Sequence, residues 1–302
     1  MAADMAVATA PPSSSRRIKV QTVAQSLYVG LAIGIGLIVL GAAVLAPLVA
    51  PHDPNAMNLV SALRPPSAEH WFGTDQLGRD VLSRVIHGAR LSLFIAFCAV
   101  LLAGLGGTLV GLIAGYRGGW FDEVAMRLAE IQYALPPVIL AMVLVGVIGP
   151  NTTNIIIVVT LANWARFARV VRADALSLKH RDFVLLARLA GASSWWIVLR
   201  HILPNVRSTL LVLLTLDVGL IMILEATLSF LGLGIQPPDP SWGTMIADGR
   251  GYLERAWWIS MLPGVVLLLT VLSVNVLGDA LRERSPRAHS TRTHSAGKRG
   301  RA

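Results

Sequence analysis

The sequence predicts an all-α integral membrane protein with six transmembrane helices. Three observations predict it. The 302 residues are 54% apolar and 14% charged, against roughly 25% charged in soluble domains, and the mean hydropathy is +0.63. Uncharged apolar runs long enough to cross a bilayer recur along the chain. The basic residues flank those runs instead of forming one patch, so the net charge of +9 reads as topology and not as a nucleic-acid surface.

Met1–Ser15 is rich in Ala, Pro and Ser and predicts the disordered start of a cytoplasmic tail over 1–25. Arg16, Arg17 and Lys19 then precede Leu27–Ala50, the first span of a membrane domain over 26–281. This run is longer than the ~7–15-residue core of a secretory signal, and Pro51 blocks a cut after Ala50, so the span is read as uncleaved. The loop 51–90 contains His70–Leu93, HWFGTDQLGRDVLSRVIHGARLSL. Asp75 and Asp80 there are placed to accept backbone amides, and Arg79 to pair with either. Val81–Arg90 reads as a short surface helix. It feeds the second span, Leu91–Tyr116, where Gly107, Gly111 and Gly115 line one face for close helix packing. Ile131–Ala165 is too long for one span, and Gly149, Pro150 and Asn151 split it into the third and fourth. Arg166 and Arg169 follow and are expected to snorkel to the headgroups, with Asp122, Glu123 and Glu130 as solvated charges.

The loop 172–207 holds the most structured polar stretch, Asp182–Asn205, DFVLLARLAGASSWWIVLRHILPN. Phe183–Ala190 predicts a short helix that Gly191 breaks with a positive φ. Ser193 or Ser194 caps a second helix, Trp195–His201, and Pro204 ends it or opens the next. The product is a helix–turn–helix knob whose paired tryptophans need a partner. Side chains of adjacent residues lie about 100° apart, so one Trp is expected to insert into that partner and the other to pack back on the membrane helices.

The fifth span is Ser208–Leu233 and carries Asp217 and Glu225. Ionisable groups at this depth face a bundle interior or a water-filled cavity. Two readings stand for each: a carboxylate lining a path for a cationic substrate group, or a protonated carboxyl bonded to a neighbouring helix. The outer loop 234–256 holds Pro237, Pro238, Asp239, Pro240 and Trp242; Trp242, Trp257 and Trp258 suit the headgroup belt. Trp258–Leu277 is the sixth span, and 282–302 is a basic, unstructured tail. Six spans put both termini on one side. Twenty of the 26 Lys and Arg then fall on the side of the termini and of 172–207, which makes that side cytoplasmic.

Three stretches carry a family resemblance. Asp182–Asn205 resembles the coupling loop of ABC-importer permeases, written as Glu-Ala-Ala, then Gly, then an Ile-x-Leu-Pro tail. Ala187, Gly191, Leu203 and Pro204 are in register; Leu185 and Leu186 depart from it, and His201 stands at the usual Ile position. The Gly-Thr-Asp…Gly-Arg-Asp block and Leu224–Ile246, LEATLSFLGLGIQPPDPSWGTMI, resemble the C-type permease subunit of dipeptide, oligopeptide and nickel importers. The resemblance covers roughly residues 25–285.

The resemblance implies the type I ABC-importer permease fold in the inner membrane. Its partners would be a homologous second permease, one or two cytoplasmic ATPases that carry the ATP and Mg, and an extracytoplasmic binding protein. It assigns coupling to Ala187, Arg188, Gly191, Ala192, Trp195, Trp196, Leu203 and Pro204. The translocation path would include Asp217 and Glu225. Asp75, Arg79, Asp80, Asp239 and Trp242 would dock the binding protein. No Gly-x-x-x-x-Gly-Lys-[Ser/Thr] loop and no His-Glu-x-x-His is present, the seven histidines are scattered, and Cys98 stands alone, so neither catalysis, nor a metal, nor a cofactor of the chain's own is expected. The expected function is import of small solutes, di- or oligopeptides first and nickel chelates as an alternative. An ion-driven secondary transporter using Asp217 and Glu225 is the rival from another class.

Overall fold

The computed structural model describes residues 14–284, and these are helical with no strand beyond an isolated bridge between Thr74 and Asp80. The helices are α1 (Ser14–Val44), α2 (Ala46–Val49), α3 (Val81–Arg117), α4 (Trp120–Ala134), α5 (Pro137–Ile148), α6 (Thr152–Lys179), α7 (Asp182–Leu189), α8 (Ser194–Ile197), α9 (Leu203–Phe230), α10 (Trp242–Gly249) and α11 (Trp258–Arg284). Five helical segments are long and apolar enough to cross a membrane, and the bent pair α4–α5 makes the sixth candidate. Residues 1–13 and 285–302 of the two predicted tails lie outside the described residues. Residues 14–25 of the first tail are helical, because Ser14–Val29 contains neither Gly nor Pro and the helix of the first span propagates back through it.

Two predicted elements are corrected. Val81–Arg90 is not a separate surface helix: it continues into the second span as one 37-residue helix. At 1.5 Å per residue that is about 55 Å, well beyond a ~30 Å hydrocarbon core. Asp80 starts it, accepting the Ser83 amide at 2.8 Å. The third span is not straight. α4 and α5 meet at 96°, because Leu135 and Pro136 each precede a proline and are held extended at ψ 135° and 134°. The break at 149–151 stands where expected: Gly149 turns at φ +87° and Asn151 caps α6 through the Asn154 amide.

The core is built on α3 against α6. A Cβ on Gly111 would lie 2.5 Å from the Ala168 carbonyl oxygen and 2.9 Å from Val171 Cβ, and one on Gly115 2.7 Å from Ala175 Cβ; Gly107 faces Trp164 and Phe167 equally closely. The glycine row therefore brings the two backbones together, as its spacing predicts. α9 packs on α11, where Gly278 meets Thr215 and Leu216. α1 lies on α11 and α3 and exposes Leu37, Ile38 and Val44.

Gly111→Ala has no room and should cost roughly 1–3 kcal/mol as overpacking. Gly106 has nothing within 4 Å of a Cβ, so Gly106→Ala should be neutral or better. Thermal melting of the two solubilised variants checks this; equal melting would remove the helix contact from the account.

Candidate functional site

The knob forms from a helix stop that the sequence dictates. Gly191, at φ +81°, donates its amide to the Arg188 carbonyl at 3.0 Å, and Ala192 donates to Ala187 at 3.1 Å. This is the paired 5→2 and 6→1 closure of a Schellman turn, with Ala187 and Ala192 packed beside it. Ser193 then caps α8 by accepting the Trp196 amide at 3.3 Å. The second helix does not end at Pro204. α8 passes through a π-helical turn, Val198–Ile202, straight into α9, so the knob is the base of a 37-residue helix, Ser194–Phe230. The wide turn lies just ahead of Pro204, whose missing N–H and ring disrupt regular α bonding to the preceding turn.

Neither tryptophan packs back on the bundle. Trp195 is 57% and Trp196 49% exposed. The inward anchors are Val198, Ile202 and Val206, four residues apart on one face, with Ile197 beside them. They seat on Leu112 and Tyr116 of α3 and on Val171 and Ala175 of α6. Trp195 faces Tyr116 and Arg117 at the end of α3 across a cleft of about 260 Å³. Trp196 meets the His201 ring at 4.9 Å, and Phe183 meets the same ring at 6.0 Å. Arg188 stands over Tyr116; Leu203 is half-buried and Pro204 exposed.

The membrane carboxylates are engaged. Asp217 is buried and bonds Arg166 at 2.5 Å, while Arg169 stacks on Tyr133 at 4.7 Å. These arginines do not snorkel at a helix end, because α6 runs on to Lys179. Asp122 is likewise not a free charge: it makes a two-armed pair with Arg172 across to α6. Glu225 is 2% exposed and accepts the Ser229 and Ser241 hydroxyls at 2.8 and 3.2 Å. It lines no open path in this conformation, since α10 closes over it. The group that does open is Arg166, 37% exposed on its side chain. It borders a cleft of about 620 Å³ with Gln132, Asn163, Thr227 and the bend at Pro136. The sequence reading missed this cleft, and Leu-Pro-Pro at 135–137 was the available signal.

At the opposite end of α3 lies a compact platform. Asp75 accepts the Leu77 and Arg79 amides at 2.9 Å and the Arg79 guanidinium at 2.6 Å, as the block predicts. Asp75, Arg79 and Asp80 are only 3–4% exposed, so they build the loop and offer little surface. Trp242 is fully buried and donates to Val85 at 2.9 Å; Trp258 is also buried and donates to Thr74 at 3.1 Å. Of the three expected belt tryptophans only Trp257 is exposed. Both buried indoles sit inside because backbone carbonyls satisfy their N–H groups. Asp239 is exposed and rims a cleft of about 360 Å³ with Gln236, Asp248 and Arg250. Burial pushes the Asp248 carboxyl above its usual range, against the pull of Arg84 and Arg79.

Comparison with known proteins adds a family. Residues 107–288 match the model described as binding-protein-dependent transport system inner membrane component. The chain is 42% identical to the di/tripeptide transport system permease protein DppC of Pseudomonas aeruginosa over 253 residues, 82% of this chain and 84% of that one. It is 41% identical to the dipeptide transport system permease protein DppC of Bacillus subtilis, over 80% of this chain and 76% of that one. It is 39% identical to the probable D,D-dipeptide transport system permease protein DdpC of Escherichia coli, over 80% of each.

The Asp217–Arg166 pair yields a stability prediction. Arg166→Met should leave a buried charge and destabilise the protein by less than the roughly 3–5 kcal/mol of a fully buried pair, because Arg166 is part-open. Arg166→Met with Asp217→Leu should restore most of the loss. Melting of the singles and the double in one cycle checks it, and an additive double would remove the coupling.

Proposed function

Since this chain belongs to the family of binding-protein-dependent transport system inner membrane components, we propose that it is one half of the membrane pore of an ATP-driven importer of di- or oligopeptides. The peptide class rests on the names of its relatives. A second, homologous permease completes the pore. One or two cytoplasmic ATPases bind ATP and Mg and drive alternating access, and an extracytoplasmic binding protein delivers substrate. This chain performs no covalent chemistry. The family's dependence on a binding protein displaces the ion-driven alternative.

The observation that carries the reading is the Schellman-closed knob rooted in a single helix of the bundle. ATPase docking falls to Ala187, Arg188, Gly191, Ala192, Trp195, Trp196, Leu203 and Pro204. Because Ser194–Phe230 is continuous, displacement of the knob carries Asp217 and Glu225 with it as a rigid body. The path borders the Arg166 cleft, where a guanidinium suits the carboxylate of a peptide. Glu225 serves as a latch on α10 in this state. Asp239 is the predicted docking residue with surface to offer, behind which Asp75, Arg79, Asp80 and Trp242 hold the platform in shape.

Gly191 has open space around it but a positive φ, so any side chain costs about 1–2 kcal/mol in strain. Gly191→Asp should abolish uptake and substrate-stimulated ATP hydrolysis while the protein still inserts with its partner permease. Trp195→Ala and Trp196→Ala should release the ATPase on purification with melting of the permease pair unchanged. Retention of coupled ATPase by all three variants would overturn the assignment.

Topology follows from the charge bias: both termini and 172–207 cytoplasmic, 51–90 and 234–256 outside. In a Cys98→Ala background, Ser177→Cys should be shielded from an impermeant thiol reagent in intact cells and Gln236→Cys should react. Reaction of both would sink the orientation.

A further inference from the structure

The outer platform holds a cluster that the transport reading leaves unused. His52 follows α2, His70 sits in the turn before Gly73, and Asp80 starts α3. They come from three separate segments, yet one ligand atom from each lies within 4.8 Å of the other two. His70 Nδ1 is 2.9 Å from Asp80 Oδ1, and His52 Nδ1 is 3.8 Å from Asp80 Oδ2. The two imidazole centroids are 4.8 Å apart, with the rings tilted by 40°. His52 Nδ1 is buried and has no hydrogen-bond partner, an exception among buried polar atoms.

We propose that His52, His70 and Asp80 bind a borderline divalent cation, Zn2+ first. Tetrahedral zinc holds nitrogen and oxygen donors at about 2.0–2.2 Å, which puts them roughly 3.3 Å from one another. His70 Nδ1 lies 2.9 Å from Asp80 Oδ1 and His52 Nδ1 3.8 Å from Asp80 Oδ2, with one donor from each residue within 4.8 Å of the other two, so small side-chain adjustments bring them to that spacing. Two imidazoles and one carboxylate leave a fourth position for water. The side chains of His52 and His70 are 38% and 14% exposed, so the site has an entry from solvent.

The supports behind the donors are in place. Ser83 donates its amide and its hydroxyl to Asp80 Oδ2 at 2.8 and 2.7 Å. The same hydroxyl accepts the His52 amide at 3.0 Å. One serine thus fixes the carboxylate and the backbone of one imidazole, the outer-shell arrangement that orients metal ligands. His70 is held by the Ser67 hydroxyl at 3.1 Å on its amide and by the Gly73 amide at 2.8 Å on its carbonyl. The ion would tie the segment leaving α2 to the start of α3, closing the loop from His52 to Asp80. It lies at the other end of α3 from the knob and outside the Arg166 cleft, so it stiffens the platform and is not cargo.

Asp80 caps α3 and His70 bonds it, so substitutions there risk the fold. His52 Nδ1 makes no bond, which makes His52→Ala the diagnostic variant. The intact transporter, purified through a tag without histidine, is stripped with chelator and dialysed against Zn2+. Wild type is expected to bind one more Zn2+ per copy of this chain than His52→Ala, or to bind it at least tenfold tighter, and to melt higher with Zn2+ while the variant does not. Equal stoichiometry and affinity in the two proteins would overturn the site. Equal protection by Ca2+ or Mg2+, which prefer all-oxygen shells, would overturn the assignment to an imidazole-seeking ion.

Discussion

Everything in this molecule hangs on the contact between α3 and α6. Helices in lipid gain little from burying apolar surface, since the tails are as apolar as leucine, so association depends on close van der Waals fit. Gly107, Gly111 and Gly115 supply that fit by bringing the α3 backbone against Trp164, Ala168 and Arg172. The pair then acts as a spine. One end is α3 from Asp80 to Ser92, which receives Trp242 through Val85 and Ser92. The other end is Leu112 and Tyr116 with Val171 and Ala175, which receives the knob. Loosening the spine loosens both ends together.

In the proposed cycle the fifth span is the moving counterpart of that spine. Helix Ser194–Phe230 begins in the knob, passes Pro204 by way of a π-helical turn, and bears Asp217 at one level and Glu225 two turns further on. Each carboxyl meets a different neighbour: Asp217 meets Arg166 on α6, and Glu225 meets Ser241 at the start of α10. A helix bonded across to the spine at mid-height and to the platform at its outer end has two discrete connections to break when its base shifts. That is the form a two-state gate takes in a close-packed bundle, which does not deform continuously.

The sequence was informative wherever a local rule decides the outcome. The Gly191 stop, the Ser193 cap, the Asp75 and Asp80 turn bonds and the glycine row all follow from steric and hydrogen-bond requirements confined to a few neighbouring residues. It was uninformative wherever a partner from another segment decides. Trp242 and Trp258 read as belt residues because their buried acceptors, Val85 and Thr74, are more than 150 residues away. Arg166 read as a snorkelling end because nothing nearby announced Asp217, 51 residues on. His52 and His70 looked scattered for the same reason. The bend at Leu135–Pro137 differs in kind: its signal was local, and hydropathy alone masked it, since an apolar run remains apolar through a 96° turn.

The two ends of the spine treat apolar and polar surface in opposite ways, and this bears on which end works on a partner. At the platform several charged and aromatic groups are turned inward and bonded: Asp75 on Arg79, Trp242 on Val85, Trp258 on Thr74. Such a unit holds its shape by itself. At the knob, Leu189, Trp195, Trp196 and Leu199 stand 84%, 57%, 49% and 56% exposed on a segment of eleven residues. Single exposed leucines need no explanation in a folded protein, but four large apolar side chains this exposed within so short a polar segment support the partner contact proposed above. A helix pair that is covalently continuous with a membrane span, closed by its own Schellman turn and apolar on its outer face is stable in shape before any partner arrives. Under the coupling proposed above, an ATPase that docks there has no knob to order, and its binding energy goes into moving the helix that the knob begins.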